Sequence, residues 1–207
     1  KGTATVDKEF LQSLDAWRTL LAENIAKSNK ELDEDEINFV VQQTIDRLIF
    51  LRIAEDRGVE PYGNMQSALK HGDFYKNLFG IFHQADEKYN SGLFDFKKDS
   101  LSKDLIIENK IIKSIINQLY YPESPYEFSV LSVEILGSAY EQFLGKQITL
   151  SKSGKAIIEE KPEVRKAGGV YYTPRYIVDY IVQNTLGRLL NGSEAPSVTS
   201  CPLGIAS

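Results

Sequence analysis

The chain has one cysteine, Cys201, and two histidines, His71 and His83. An internal disulfide framework and a multi-cysteine zinc site are therefore excluded, and imidazole ligands for a metal are scarce. Its seven prolines are never adjacent, so no Pro-Pro element is present. No apolar run approaches the ~20 residues that a bilayer span requires. Lys1 to Val6 lacks the apolar stretch of a secretory signal. It also lacks an initiator methionine, so the chain is expected to be a piece of a longer protein in a reducing, cytoplasmic setting. Basic charge is in short supply too. Against 29 Asp and Glu stand 24 Lys and Arg, a net charge of −5, which argues against a free-standing nucleic-acid binder. The excess acid lies in residues 1–60, whereas 131–207 is slightly basic. Any nucleic-acid contact is expected in that last third or outside this chain.

What is present suits a folded protein. Hydrophobic residues make up 42% and charged residues 26% of 207 residues, enough for one large domain or one domain plus part of another. Eleven tyrosines and ten phenylalanines supply much of the core's bulk.

Phe10, Leu14, Trp17, Leu21 and Ile25 repeat at helical spacing, with Asp7 as the expected N-cap and Ser28-Asn29 as the stop. Asp33 and Glu36 form a capping-box pattern. It opens a helix through Ile37, Val40, Val41, Ile45, Leu48, Ile49 and Leu51 that Gly58 closes. Pro61-Tyr62-Gly63-Asn64 reads as a turn. A short helix over 65–71 and a longer one over 73–88 follow, and then an apolar loop, 93–96, docked on the core. The isoleucine-rich run 102–120 has the length and interleaved polar residues of a mostly buried helix. Residues 133–144 form another, with Gly145 as its cap. After Gly145 the period changes to two. Residues 147–150 and 156–159 alternate around Ser151-Lys152-Ser153-Gly154-Lys155, a β-hairpin signal. The expected fold is mainly α: a multi-helix domain over 1–145, a hairpin linker over 146–162, and a new unit from 163.

The chemistry-bearing segment runs from Arg165 to Val178. Thr173 is a good N-cap, and Pro174 fits the first helical position, where its missing N–H costs nothing. A helix start of this kind exposes backbone N–H groups at its positive end, which suits a carboxylate or phosphate. Gly168-Gly169 permits close backbone approach, and Tyr171 and Tyr172 offer ring faces to a cation. Taken alone, the pattern reads as a capped helix after a glycine turn, since few such helix starts bind ligands.

Gly169-Val170-Tyr171-Tyr172-Thr173-Pro174, followed by Ile177-Val178, resembles the opening cofactor-binding motif of the gamma class of amino-methyltransferases. That class includes type I modification subunits and fused type IIG restriction–methylation enzymes. Residues 45–58 resemble a connector helix of type IIG and related enzymes. Ser124 to Phe128 and Ile135 to Gly145 resemble the lead-in to their methyltransferase domain. The resemblance covers about 37–190. It implies that 1–145 is a helical connector domain and that 163–207 is the N-terminal fragment, including the first helix, of a truncated α/β methyltransferase domain. It further implies that Tyr171, Tyr172, Thr173 and Pro174 line a pocket for S-adenosylmethionine. The longer protein is then expected to methylate adenine N6 in double-stranded DNA, with or without a fused endonuclease.

The class also carries an acidic Gly-rich loop and an Asn-Pro-Pro-Tyr type catalytic motif. The tail 200–207 lacks the aspartate and second glycine of the first, and no adjacent prolines supply the second. Glu108-Asn109-Lys110 and Glu159-Glu160-Lys161 imitate the end of a nuclease metal motif but read as solvated charges. Arg47, Arg52 and Arg57, with Asp46, Glu55 and Asp56, read as ion pairs within one helix. Asp33 to Glu36 reads as a helix start, and His71 and His83 as packing or surface residues. The rival reading is a non-enzymatic helical scaffold or protein-interaction module. By itself the chain is expected to transfer no methyl group to DNA. Counting labelled methyl incorporated into duplex DNA by this chain checks that expectation, and measurable transfer overturns it.

Overall fold

In the computed structural model, residues 3–89, 91–128, 131, 133–151, 153–167, 180 and 182–183 are described. The chain divides into two compact units, Lys1–Val170 and Tyr171–Ser207. Among the described residues the architecture is mainly α, with one two-stranded sheet. Of the second unit, Tyr180 and Val182 are helical and exposed.

Two long helices make the frame of the first unit. Helix α1 spans Thr3–Ser28, and its stripe of Phe10, Leu14, Trp17, Leu21 and Ile25 is fully buried. It starts four residues before the expected cap, so Asp7 lies inside the helix; nothing between Thr3 and Asp7 is a Gly or Pro that would break it. Helix α2 spans Glu34–Asp56. Its capping box is complete: the Glu36 N–H donates to Asp33 Oδ1 at 2.8 Å and the Asp33 N–H to Glu36 Oε2 at 2.9 Å. At its far end Gly58 takes φ 69°, which a side chain would oppose. There the Gly58 N–H donates to Glu55 O at 3.0 Å and the Val59 N–H to Ala54 O at 2.8 Å, closing a Schellman motif.

A 3-10 turn, Met65–Leu69, leads to α3, Phe74–Tyr89, which Asp73 caps through bonds of 3.1 Å from the N–H groups of Tyr75 and Lys76. The apolar loop docks as expected, with Phe94 fully buried.

The run 102–120 is a correction. Helix α4 occupies only Asn109–Gln118, and the preceding residues are a 3-10 turn and an extended stretch. In that stretch Leu105 and Ile107 are buried while Ile106 is 62% exposed, the alternation of a strand. Its partner is not a strand but the end of helix α1 and Asn29, the residue that follows it. Asn29 Oδ1 accepts the Ile106 N–H at 2.9 Å, and Asn29 Nδ2 donates to Ile106 O at 3.0 Å. Asn24 Oδ1 accepts the Glu108 N–H at 3.0 Å. The β-branched residues follow their own preference because these amides satisfy the backbone.

Helix α5, Val133–Leu144, packs along α1 and buries Ala139 and Phe143. Strands β1, Lys146–Leu150, and β2, Ala156–Glu160, form the expected antiparallel hairpin, Ile148 opposite Ile158, with Gly154 at φ 77° in the turn. The hairpin lies against α1 and α2. Asn38 on α2 repeats the two-point clamp: Nδ2 donates to Ile148 O and Oδ1 accepts the Ile148 N–H, both at 2.8 Å. Helix α6, Pro162–Ala167, follows directly.

Replacing the buried Asn29 by Ala leaves both peptide groups of Ile106 unpaired. The expected loss is about 2–3 kcal/mol in urea denaturation; a loss below about 0.5 kcal/mol means that water replaces the clamp.

Candidate functional site

The residues singled out for a cofactor, Tyr171, Tyr172, Thr173 and Pro174, lie outside the described residues. So do the Gly168-Gly169 pair and the tail 200–207. The other resembling segments are described, and the fold brings two of them together.

The C-terminal turn of α2 meets 119–128 around Arg52. Its guanidinium is 3% exposed. Nε donates to Leu119 O at 2.8 Å, Nη1 to Glu55 Oε2 at 3.3 Å, and Nη2 to Asp56. The rings of Tyr120 and Tyr62 lie 4.3 and 4.9 Å from its central carbon. Glu55 also accepts from the N–H groups of Gly63 and Met65, at 2.9 and 3.0 Å, and from the Tyr120 hydroxyl. Burial, reinforced by the Glu55 carboxylate, pushes the Tyr120 phenol well above its ordinary range, so it stays a donor. Asp56 Oδ2 accepts the Phe128 N–H at 3.0 Å. One ion cluster therefore anchors the turn after α2, the end of α4 and the lead-in to α5. Above it opens a cleft of about 470 Å³ walled by Tyr62, Tyr121, Ser124, Pro125, Tyr126 and Glu127. Its polar floor is fully used in holding the fold, so the cleft has no free acid or base ready for chemistry at Arg52, Glu55 or Tyr120.

The arginine pattern of α2 is corrected in part. Arg52 pairs within its helix as expected. Arg47, 1% exposed, reaches outside it: Nη2 donates to Asp99 Oδ2 at 2.6 Å, Nη1 to Ser102 Oγ at 3.0 Å and Nε to Leu93 O at 2.9 Å. Burial works against the Asp99 carboxylate, but hydrogen bonds from Ser102 and Arg47 outweigh it and hold the group below its usual range. Arg57 is exposed. None of the three is placed as a phosphate contact.

A third buried arginine escapes the sequence reading. Arg18 on α1 is 3% exposed, and its ring partner Phe143 lies 3.6 Å from its central carbon. Nη2 donates to Phe143 O at 2.8 Å and to Gln42 Oε1 at 2.9 Å, and Nη1 to Lys146 O at 3.2 Å. Desolvation lowers its pKa to about 10, against the pull of Asp15 and Asp46. The signal was its phase: Arg18 follows Leu14 and precedes Ala22 at four-residue steps on the apolar stripe. Beside it, Asp46 accepts from Gln42 Nε2 at 2.8 Å and also bonds the Tyr140 hydroxyl. Burial nevertheless raises its carboxyl to about 6.

The imitators of metal motifs are surface features. Glu108 pairs with Lys110 at 2.6 Å and Lys27 at 3.4 Å, and Glu159 and Glu160 are exposed. Asn109, between Glu108 and Lys110, holds the loop before α3, accepting from the Phe74 N–H at 2.9 Å. His71 and His83 are exposed, the latter stacked on Phe96. Among the described residues no group of three His, Cys, Asp or Glu could hold a metal ion, and no helix is long and apolar enough to cross a membrane.

Comparison with known proteins finds a curated relative. No family model and no solved structure matches the chain. A curated protein of Escherichia coli, the type II restriction enzyme and methyltransferase RM.Eco57I, is 38% identical over 188 residues. The aligned stretch takes in 91% of this chain and 18% of that protein. The chain is thus a relative of the type II restriction–modification methyltransferases, and it spans less than a fifth of the relative's length.

Asp46 gives this region a signed pH dependence. Its folded pKa, about 6, lies above the unfolded value of 3.8, so the folded state holds the extra proton between those values and stability rises as pH falls through that window. A gain of roughly 2 kcal/mol between pH 7 and pH 4 is the order expected from this group. Subtracting the Asp46→Asn urea curve from that of the parent isolates it; a flat difference across the window refutes the assignment.

Proposed function

We propose that this chain is the helical connector, together with the opening of the methyltransferase domain, of a longer restriction–modification enzyme. That enzyme methylates adenine N6 in double-stranded DNA at the expense of S-adenosylmethionine. The observation that carries the proposal is identity of 38% across 91% of the chain to a type II restriction enzyme and methyltransferase. The match with the gamma-class motif at Gly169 to Pro174 supplies the finer assignment to cofactor and base.

When bound, S-adenosylmethionine supplies an electrophilic sulfonium methyl group. By the gamma-class resemblance, Tyr171 and Tyr172 would offer aromatic rings, which favour a positive sulfur, and Thr173-Pro174, a helix-opening pattern in the sequence, would hold the cofactor's carboxylate. The target adenine is flipped out of the duplex to reach the methyl group. The groups that accept its amino protons belong to parts of the longer protein outside this chain. The connector's contribution is rigidity: three buried arginines tie its loops and hairpin to α1 and α2.

The test uses the full-length protein. Cofactor titration is expected to give a dissociation constant in the micromolar range, lost in Tyr172→Ala and Thr173→Val at unchanged urea stability. Nucleoside mass spectrometry of treated duplex DNA is expected to show N6-methyladenine. An intact protein that binds no cofactor sinks the proposal, and methyl groups on cytosine alone overturn the base assignment.

A further inference from the structure

Two of the three buried arginines touch carboxylates directly: Arg47 contacts Asp99, and Arg52 contacts Glu55 and Asp56. Arg18 hydrogen-bonds only to neutral oxygens, those of Phe143, Lys146 and the Gln42 amide. It also lines a cavity of about 250 Å³ between α1, α2 and β1. Lys146, Lys161, Gln43 and Gln147 share that lining. The adjacent Asp15 pairs with Lys146 through Oδ2 at 2.5 Å while its Oδ1 is buried without a partner, Asp46 is bonded to Gln42 and Tyr140, and the exposed Asp35 also lines the cavity. Among the described cations of this lining, Arg18 and Lys161 show no carboxylate at contact distance. The cavity's volume falls below the roughly 300–1,000 Å³ of drug-sized pockets but accommodates an inorganic oxyanion.

We infer that this cavity is a phosphate-binding site, in which Arg18 and Lys161 supply charge and the Gln147 and Gln43 side chains, which share the lining, supply amide donors to the oxyanion. A phosphate there gives the buried guanidinium a counter-charge at contact distance, beyond the longer-range pull of Asp15 and Asp46. The phosphate belongs either to a DNA backbone or to a free phosphate compound. Only the DNA source rests on the function proposed above.

The probe is inorganic phosphate added to this chain at constant ionic strength, read by the Arg18 side-chain N–H resonance. A saturable shift is expected. Lys161→Gln is expected to weaken it about fivefold, the equivalent of one lost surface-accessible charge contact. Gln147→Glu, which places a carboxylate in the cavity, is expected to abolish it, with circular dichroism checking that each variant is folded. A second arm measures duplex DNA affinity of the full-length protein against salt. If Lys161→Gln lowers the salt slope by about one, the phosphate is that of the DNA backbone. If the slope is unchanged while the phosphate shift persists, the ligand is a free phosphate compound. No saturable shift in the folded parent chain, or an identical shift in Lys161→Gln, overturns the site whatever the enzyme does to DNA.

Discussion

Everything beyond the two long helices depends on one constraint: irregular backbone is buried against them, and its peptide groups need partners that a two-stranded hairpin cannot supply. The partners come from side chains on the helices. Arg52 is the most heavily used, since its guanidinium bonds Leu119 O while its carboxylate partners Glu55 and Asp56 accept from Gly63, Met65 and Phe128. Removing a charge from such a cluster strands the others in a dry environment, which costs far more than one hydrogen bond. That is why an ion cluster, a poor stabiliser in general, can still decide where three loops go.

Asparagine does the same work without charge. Asn29 and Asn38 each offer one donor and one acceptor, the pattern of a peptide group, and each closes on both polar groups of a single extended residue. A helix thereby serves as the neighbouring strand for a short extended segment. The hairpin gains further ties from Arg18 to Lys146 O, from Lys146 to Asp15 and from the Ala156 N–H to Glu23 Oε1. The Lys161 N–H then donates to Gly145 O at 2.9 Å, so the chain enters α6 from a position set by the frame.

The functional reading draws on two different kinds of information. Kinship with a restriction–modification methyltransferase rests on identity spread along nearly the whole chain. The cofactor residues rest on a short motif whose meaning depends on chemistry carried elsewhere in a much longer protein. The described residues hold the fold together and contribute one cavity lined by a buried arginine without a contact ion pair, which no motif marked.

Sequence by itself determined whatever depends on near neighbours. The stripe from Phe10 to Ile25, the Asp33–Glu36 box, the Gly58 stop and the hairpin around Gly154 are all encoded within a few residues, and each could be read from spacing alone. Tertiary structure decided what depends on distant ones. Residues 102–108 look helical by length but form a 3-10 turn and an extended stretch, whose backbone is met by Asn24 on α1 and by Asn29 just past its end. Arg52 has acids three and four residues on and pairs inside α2, whereas Arg47 has none at those spacings and finds its carboxylate, Asp99, only through the fold. Periodicity records which face of an element is buried. It carries no record of which donor will meet which acceptor there, since that is set only when the chain closes on itself.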